Sequence, residues 1–113
     1  MNQGIQTIIY PVKDLTKAKA QFTELLEVEP YVDAPYYVGF KVGNQDIGLD
    51  PSGHPAGATA FYHVSDIKGS FQKLLDAGAE SVQEIKDVGN GRLIASVRDA
   101  NGNIIGLLQD PSK

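Results

Sequence analysis

The sequence contains few side chains that could act as nucleophiles, proton carriers or metal ligands. Its 113 residues include no cysteine and two histidines, His54 and His63, so disulfides, thiolate catalysis and cysteine-bound zinc are excluded. His63 lies in an apolar run, where strand alternation places it on the same face as Thr59 and Phe61. There it could contact a ligand, act as a general base, or be a purely structural histidine. His54 lies among proline and glycine, and we expect it in solvent.

A second group of candidate ligands lies near the end of the chain. Asp99-x-Asn101-x-Asn103, followed by Asp110, resembles the spacing of oxygen ligands in a calcium-binding loop. Gly102 stands at the fourth position of this segment, whereas the calcium loop needs its glycine at the sixth. We therefore predict a hairpin turn at these residues rather than a cation site.

Two glycines occupy matching places in a repeated pattern. Ile47-Gly48-Leu49 is echoed by Ile105-Gly106-Leu107, and the upstream segment TIIYPVKD, residues 7–14, aligns with TAFYHVSD, residues 59–66. The two matches occur in the same order, which indicates an internal duplication. We predict one domain made of two modules, residues 1–52 and 57–113, joined by the linker PSGHPAG at 51–57.

Composition limits the partners of this domain. With 42% hydrophobic and 21% charged residues, the chain is typical of one globular domain. Its net charge of -4 and its lack of a basic run argue against binding to nucleic acid. The first residues, MNQGIQTIIYPVKD, lack the cationic and apolar regions of a signal peptide. We expect a cytoplasmic protein that contacts no membrane.

The first module reads as β-α-β-β-β. A strand over 5–12 leads to Asp14, a predicted N-cap. After the helix, Pro30 and Pro35 bound a short extended segment. Strands at 36–42 and 46–50 then meet at a Gly43-Asn44 turn. The predicted apolar face of the helix consists of Leu15, Ala18, Phe22, Leu25 and Leu26.

The second module repeats this order. A strand over 58–64 precedes the predicted N-cap Asp66, and the helix ends at Ala77-Gly78. Strands follow at 80–88, 92–98 and 103–109. The apolar stripe of this helix consists of Ile67, Phe71, Leu74 and Leu75.

Strand alternation assigns side chains to the two faces of each sheet. In the first module, Tyr37, Gly39 and Lys41 share the face of Gly48. In the second module, one face carries Arg92, Ile94 and Ser96, while the helix covers Leu93, Ala95 and Val97.

Two segments resemble a known family, the vicinal oxygen chelate superfamily, which includes glyoxalases, bleomycin resistance proteins and extradiol dioxygenases. The segments are YPVKDLTKAKAQFTELLEVEP in the first module and VRDANGNIIGLLQ in the second. The sequence departs from the family pattern where Gln21-Phe22 replaces Phe-Tyr, Glu27 replaces glycine and Ala100 replaces proline. The resemblance implies an α+β fold of two tandem βαβββ modules that form a cupped mixed β-sheet with helices on its outer face.

The resemblance also implies where a metal would bind. Metal-dependent members place one ligand on the first strand and one on the last strand of each module. Those positions fall on Thr7, Gly48, Thr59 and Gly106, none of which offers the imidazole or carboxylate that such a cation needs. We therefore expect a vacated metal site with room beside the glycines, no metal and no cofactor. A bulge or a close approach of backbone is the alternative reason for the glycines.

These observations favour a metal-independent small-molecule binding protein of the bleomycin resistance type, which sequesters or senses a small organic ligand in the cup. The alternative is a metal-dependent glyoxalase- or dioxygenase-like lyase or oxidoreductase, and a third reading is a cup filled by its own side chains. We assign no catalytic residue. The expected lining of the cup is Thr7, Ile9, Tyr37, Gly48, Asp50, Thr59, Phe61, His63, Arg92, Ile94, Gly106 and Leu108.

Each module leaves sheet edges open, so we expect a symmetric homodimer. The resemblance implies that the first module of one chain pairs with the second module of the other, and pairing within one chain is the alternative. Tyr10, Tyr31 and Tyr62 are the predicted interface aromatics.

Overall fold

The computed structural model describes residues 2–52 and 57–111, and its elements repeat the order β-α-β-β-β twice. The α+β fold of two βαβββ modules is therefore confirmed. Most of the predicted linker, including His54, lies outside the described residues. Contacts group Gln6–Thr59 as one compact unit and the rest of the described chain as the other.

The first module consists of five elements. They are β1 (Asn2–Pro11), α1 (Leu15–Leu26), β2 (Val32–Ala34), β3 (Tyr37–Val42) and β4 (Gln45–Asp50). The strands follow the order β2-β3-β4-β1, with β1 parallel to β4 and the other pairs antiparallel. Val42 pairs with Gln45 across a two-residue turn in which Gly43 has a φ of 60°, as this tight hairpin requires.

The second module has the same topology. It contains β5 (Thr59–Val64), α2 (Ile67–Asp76), β6 (Glu80–Asp87), β7 (Leu93–Arg98) and β8 (Ile104–Gln109). Its strand order is β5-β8-β7-β6, with β5 parallel to β8. The edge strand β6 has irregular register and several charged side chains, features that discourage pairing with a further strand.

Each helix packs on one face of its own sheet. In the first module Val38, Phe40 and Leu49 are buried against α1, and in the second module the core under α2 consists of Val64, Ile67, Phe71, Ala95, Val97 and Leu107. Burial of the valine, leucine, isoleucine and phenylalanine side chains among them is worth about 1.5–3 kcal/mol each. The predicted helix faces are confirmed except at Leu25, which is 69% exposed.

The tyrosines expected at a dimer interface divide into two groups. Tyr10 packs against Phe22, with ring centroids 5.2 Å apart, and belongs to the core under α1. Tyr62 packs against the core under α2. Tyr31 is half exposed. Tyr10 and Tyr62 therefore lie on the helix side of their sheets and are partly buried there.

Both predicted N-caps are confirmed. The Asp14 carboxylate accepts a hydrogen bond from the Lys17 N–H at 3.0 Å, and Asp66 accepts one from the Gly69 N–H at 3.1 Å. The side chain of Gln109 at the end of β8 also accepts from the Ile67 N–H at 2.7 Å. These bonds satisfy first-turn donors that a helix leaves without intrahelical partners.

Glu27 ends α1 in a conformation that suits glycine better. Its φ of 59° is left-handed, and its N–H donates to the Thr23 carbonyl. A side chain in this region costs roughly 1–2 kcal/mol, so we expect Glu27→Gly to raise the free energy of unfolding by about 1 kcal/mol. Urea denaturation measures it. Glu24→Gly, inside α1, is the matched control and should lower stability by about 1 kcal/mol; equal losses from both variants would contradict the assignment.

The segment at Asp99 is a hairpin turn, as predicted. The Asp99 carboxylate accepts hydrogen bonds from the N–H groups of Asn101 and Asn103 and from the Asn103 side-chain amide. The Asn103 amide, followed by the Asn103 N–H, lowers the pKa of Asp99 below its ordinary value. Asp99 therefore uses its oxygens to fix the β7–β8 connection.

Neither α1 nor α2, the two helices of the described residues, has the length and apolar character needed to span a membrane.

Candidate functional site

The face of each sheet opposite its helix, here called the helix-free face, collects the predicted cup residues. Alternation in β3 and β4 puts Val38, Phe40 and Leu49 under α1, so the intervening residues lie on the other side. On the helix-free face of the first module are Thr7, Ile9, Tyr37, Gly39, Lys41, Asp46, Gly48 and Asp50. The second module places Phe61, His63, Ile94, Ser96, Gly106 and Leu108 on the corresponding face.

A tyrosine and an isoleucine fill the space beside Gly48. An ideal Cβ on Gly48 would lie 2.6 Å from Ile9 Cδ1 and 2.7 Å from Tyr37 Cζ, and it would collide with the Tyr37 hydroxyl. Gly39, which pairs directly with Gly48 across the strands, lies beneath Tyr31 and Tyr37. The aromatic rings of Tyr31 and Tyr37 therefore pack against the backbone of these two glycines.

A phenylalanine fills the equivalent space in the second module. An ideal Cβ on Gly106 would lie 2.5 Å from Phe61 Cδ1 and 2.8 Å from Phe61 Cγ. Gly106 on β8 pairs with Phe61 on β5 and with Ser96 on β7. The benzyl ring therefore leans across the strand pair onto the glycine backbone.

In the two modules, the aromatic ring over the glycine comes from different strands. In the first, the ring over the glycine comes from β3 as Tyr37, and the first strand contributes Ile9. In the second, the ring comes from the first strand, β5, as Phe61, and Ile94 stands on β7. Each glycine thus accommodates one aromatic neighbour, which answers why the position lacks a side chain: backbone and ring approach closely.

The residues at the implied metal positions do not fit a metal ion. Thr7 and Thr59 are buried hydroxyl residues, the two glycines supply no side-chain donor, and rings occupy the space beside both glycines. The expectation of open room there is wrong. Within residues 2–52 and 57–111, no three histidine, aspartate or glutamate side chains converge in a way that could hold a cation.

A buried carboxylate lies at one end of the first module's helix-free face. The Asp46 side chain is 8% exposed and accepts a hydrogen bond of 2.8 Å from the Tyr31 hydroxyl. Lys41 Nζ lies 3.4 Å from the same oxygen and 5.5 Å from the Tyr31 ring centroid. These contacts compensate the burial of the carboxylate and hold Tyr31 over Gly39.

Three ionisable side chains meet on the second module. His63 Nδ1 lies 3.5 Å from Asp110 Oδ2, and Arg92 Nε lies 3.1 Å from Asp110 Oδ1. Since Leu93 pairs with Gln109, Arg92 and Asp110 stand opposite each other at the adjoining strand ends. The geometry brings together two predicted site residues, His63 and Arg92, through a third that was not predicted.

Asp50, another predicted site residue, has a local role. Its carboxylate accepts a hydrogen bond of 2.8 Å from the Ser52 N–H, which stabilises the turn that follows β4. Its position on the helix-free face is as predicted.

Sequence reasoning left three residues out of the predicted cup: Asp46, Asp110, which was considered only as a calcium ligand, and Tyr31, which was expected at the dimer interface. The alternation that assigned Gly48 extends to Asp46, and the alternation of Gly106 and Leu108 extends to Asp110, so both carboxylates could have been found by continuing the pattern past the apolar core of each strand. No periodic signal marks Tyr31, because it precedes β2 in an irregular segment.

Comparison with known proteins identifies relatives of the whole fold. The model of the Glyoxalase/Bleomycin resistance protein/Dioxygenase superfamily matches residues 4–107. No curated protein matches the chain.

Solved structures with the same fold share little sequence with the chain. A glyoxalase/bleomycin resistance protein/dioxygenase superfamily member from Vibrio splendidus is 16% identical, with a TM-score of 0.73 over 97% of this chain and 100% of that one. Methylmalonyl-CoA epimerase from Mycobacterium tuberculosis is 19% identical, with a TM-score of 0.73 over 98% and 90%. A hypothetical protein from Bacillus halodurans is 15% identical, with a TM-score of 0.78 over 99% and 96%. At these identities the likeness concerns the fold alone.

Proposed function

Because the chain belongs to the Glyoxalase/Bleomycin resistance protein/Dioxygenase superfamily, we propose that it is a metal-independent small-molecule binding protein of this superfamily. It sequesters or senses a small organic ligand, and His63 and Arg92 on the second module form the polar part of the binding site. Fold membership does not specify chemistry, so the proposal depends on the side chains at the site.

The observation that carries the proposal is the filling of the glycine positions. Tyr37 and Phe61 occupy the space beside Gly48 and Gly106, where metal-dependent relatives would carry a ligand. A Lewis-acid mechanism needs a cation with open coordination positions, and these residues supply neither ligands nor space. The aromatic rings instead provide apolar surface against which an organic ligand can pack.

The polar groups of the second module support binding of an organic ligand at that face. His63 is buried, and Arg92 Nε is buried although one third of the side chain is exposed. Leu108 is the strand neighbour of both His63 and Ile94, so apolar side chains flank the polar groups. Apolar walls with a few fixed donors are typical of sites for small organic molecules.

Native mass spectrometry of freshly purified protein tests the proposal. We expect an additional mass of a small organic compound on part of the protein, and loss of that mass after unfolding and refolding in clean buffer. The His63→Ala variant should carry less of the compound, whereas His54→Ala, which removes the other histidine, should carry the same amount. Failure of the natural protein to bind any small organic molecule would overturn the proposal.

We also propose that the protein is a homodimer. Tyr36 is 74% exposed and Tyr31 is half exposed, so the segment around β2 offers aromatic surface of the kind enriched in interfaces. Multi-angle light scattering at micromolar concentration should give a mass near twice the 12.1 kDa of one chain. A mass of one chain would contradict the dimer.

A further inference from the structure

We infer that the helix-free face of the first module holds a separate binding site, whose ligand is a small organic cation such as a methylated amine. The site consists of the Asp46 carboxylate and the rings of Tyr31 and Tyr37, and the Lys41 ammonium group occupies it in this structure. The inference goes beyond the proposed function and does not depend on it, because every residue of the site belongs to the first module.

The site already binds a positive charge. Lys41 Nζ lies 3.4 Å from Asp46 Oδ1 and 5.5 Å from the centroid of the Tyr31 ring. The second distance falls within the roughly 6 Å over which the face of an aromatic ring attracts a cation. A carboxylate and a ring face therefore attract the same ammonium group.

The Asp46 carboxylate is held in place by the sheet. Asp46 belongs to β4 and pairs with Lys41 on β3 and with Thr7 on β1. Its side chain accepts a hydrogen bond of 2.8 Å from the Tyr31 hydroxyl. A carboxylate has about four lone-pair sites, so it can accept hydrogen bonds from neutral neighbours and still attract a cation. The attraction therefore depends on the charge of Asp46, whatever neutral donors surround it.

Two tyrosine rings supply the apolar part of the site. A Cβ on Gly39 would lie 3.2 Å from Tyr37 Cε2 and 3.3 Å from Tyr31 Cε1, so both rings border one point beside the glycine. The Tyr31 N–H donates to the Gly39 carbonyl at 2.9 Å, which holds Tyr31 next to β3. Methyl groups on a bound cation can pack against these rings.

Lys41 is the member of the cluster that can leave. Its side chain is 54% exposed, whereas the Asp46 side chain is 8% exposed. A lysine ammonium is a strongly hydrated charge on a flexible four-carbon stem, so it regains water when it swings outward. A methylated amine is less strongly hydrated and loses less when it packs against aromatic rings. These differences favour exchange of the lysine ammonium for an organic cation.

Competition by Lys41 should weaken binding of an added cation to the natural protein. If the ammonium occupies the site about nine-tenths of the time, the apparent dissociation constant rises about tenfold, because affinity scales with the fraction of competent protein. Lys41→Met removes the charge and keeps an unbranched apolar side chain. We expect this variant to bind an organic cation about tenfold more tightly than the natural protein.

Tetramethylammonium is the probe, and the backbone amide resonances of Tyr31 and Gly39 in NMR titrations are the readout, with ionic strength held constant by sodium chloride. Lys19→Met removes an ammonium group that pairs with Asp33 at 2.6 Å. This variant is the matched control and should bind the probe like the natural protein. tert-Butanol, a neutral molecule of similar shape, should gain nothing from Lys41→Met.

Two further variants, each combined with Lys41→Met, test the two attracting groups separately. Asp46→Asn keeps an acceptor for the Tyr31 hydroxyl and removes the charge, so it should lose the gain. Tyr31→Leu removes the ring face and should lose part of the gain. Because Tyr31 is half exposed, the second variant tests the site even where the first is unfolded.

Equal tetramethylammonium affinity in the natural protein and in Lys41→Met would overturn the inference, since the lysine would then not occupy the position of the ligand. Equal gains for tert-butanol and tetramethylammonium would also overturn it, because the site would not select a cation. If neither protein binds the probe, this inference fails. The proposed function fails only if the natural protein also carries no small organic compound.

Discussion

Replacing Gly106 with alanine should lower the free energy of unfolding by about 1–3 kcal/mol, the usual cost of forcing an extra group into a packed site. The new Cβ would lie 2.5–2.8 Å from three atoms of the Phe61 ring, among them Cγ, which sits next to the backbone of β5. Because Cγ is displaced only when the strand moves or the whole ring rotates, the ring cannot yield cheaply. Urea denaturation followed by circular dichroism measures the change.

Gly48→Ala is the matched control for this prediction. The atoms nearest its new Cβ are the far ends of Tyr37 and Ile9, which can shift by small rotations, so its loss should be smaller than that of Gly106→Ala. A Phe61→Ala background should remove most of the cost at Gly106, since contacting residues couple in a double-mutant cycle. Full stability of Gly106→Ala would contradict the packing of Phe61 on the glycine.

His63→Ala should weaken binding of the small organic compound that co-purifies with the protein by about 1–3 kcal/mol, roughly fivefold to 150-fold in dissociation constant. The variant removes a polar group that we propose contacts the ligand, and it leaves the ligand's polar partner atom unpaired. Isothermal titration calorimetry with the identified compound, together with NMR titration of backbone amides near Arg92, measures the affinity.

Two comparisons make this result specific. His54→Ala should bind the compound as tightly as the natural protein, and His63→Gln, which keeps a donor, should lose less affinity than His63→Ala. Unfolding curves show whether each variant is folded at the titration temperature. Unchanged affinity in folded His63→Ala would mean that the histidine serves the structure alone.

The order of elements could be predicted because local signals agree with one another. Asp14 and Asp66 each precede a helical stripe and cap it in the structure. The assignment of Ala95 and Val97 to the helix side of β7 is also confirmed, since a period of two leaves only one face for apolar residues once the helix is placed.

The sequence could not predict the side-chain rotamers of residues that it places on a given face of the sheet. The sequence places Tyr37 and Phe61 on the helix-free faces, but the rotamers that lay their rings over Gly48 and Gly106 depend on space left by neighbouring strands. The packing of Tyr10 against Phe22 could not be predicted for the same reason, because alternation in β1 does not show how much of each side chain the helix covers. The spacing of Leu25 fits the apolar stripe of α1, but its side chain is exposed because the sheet does not cover that part of the helix.

The contacts of Asp110 could not be predicted because they depend on which strands pair and in which register. Alternation can assign it to the face of Gly106 and Leu108, but only the register of β7 against β8 shows that Arg92 lies opposite. Ion pairs between strand ends depend on this pairing, which a single sequence does not contain. The cluster of His63, Arg92 and Asp110 therefore follows from sheet register rather than from any motif.

Metal dependence is the most direct test of the account. Protein purified without chelator should be analysed for zinc, nickel, manganese and iron by elemental mass spectrometry, and binding of the co-purified compound should be titrated before and after dialysis against EDTA. We expect substoichiometric metal and the same affinity in both samples, because the proposed site on the second module contains no metal ion. One metal ion per chain, with binding abolished by EDTA and restored by that metal, would contradict the account.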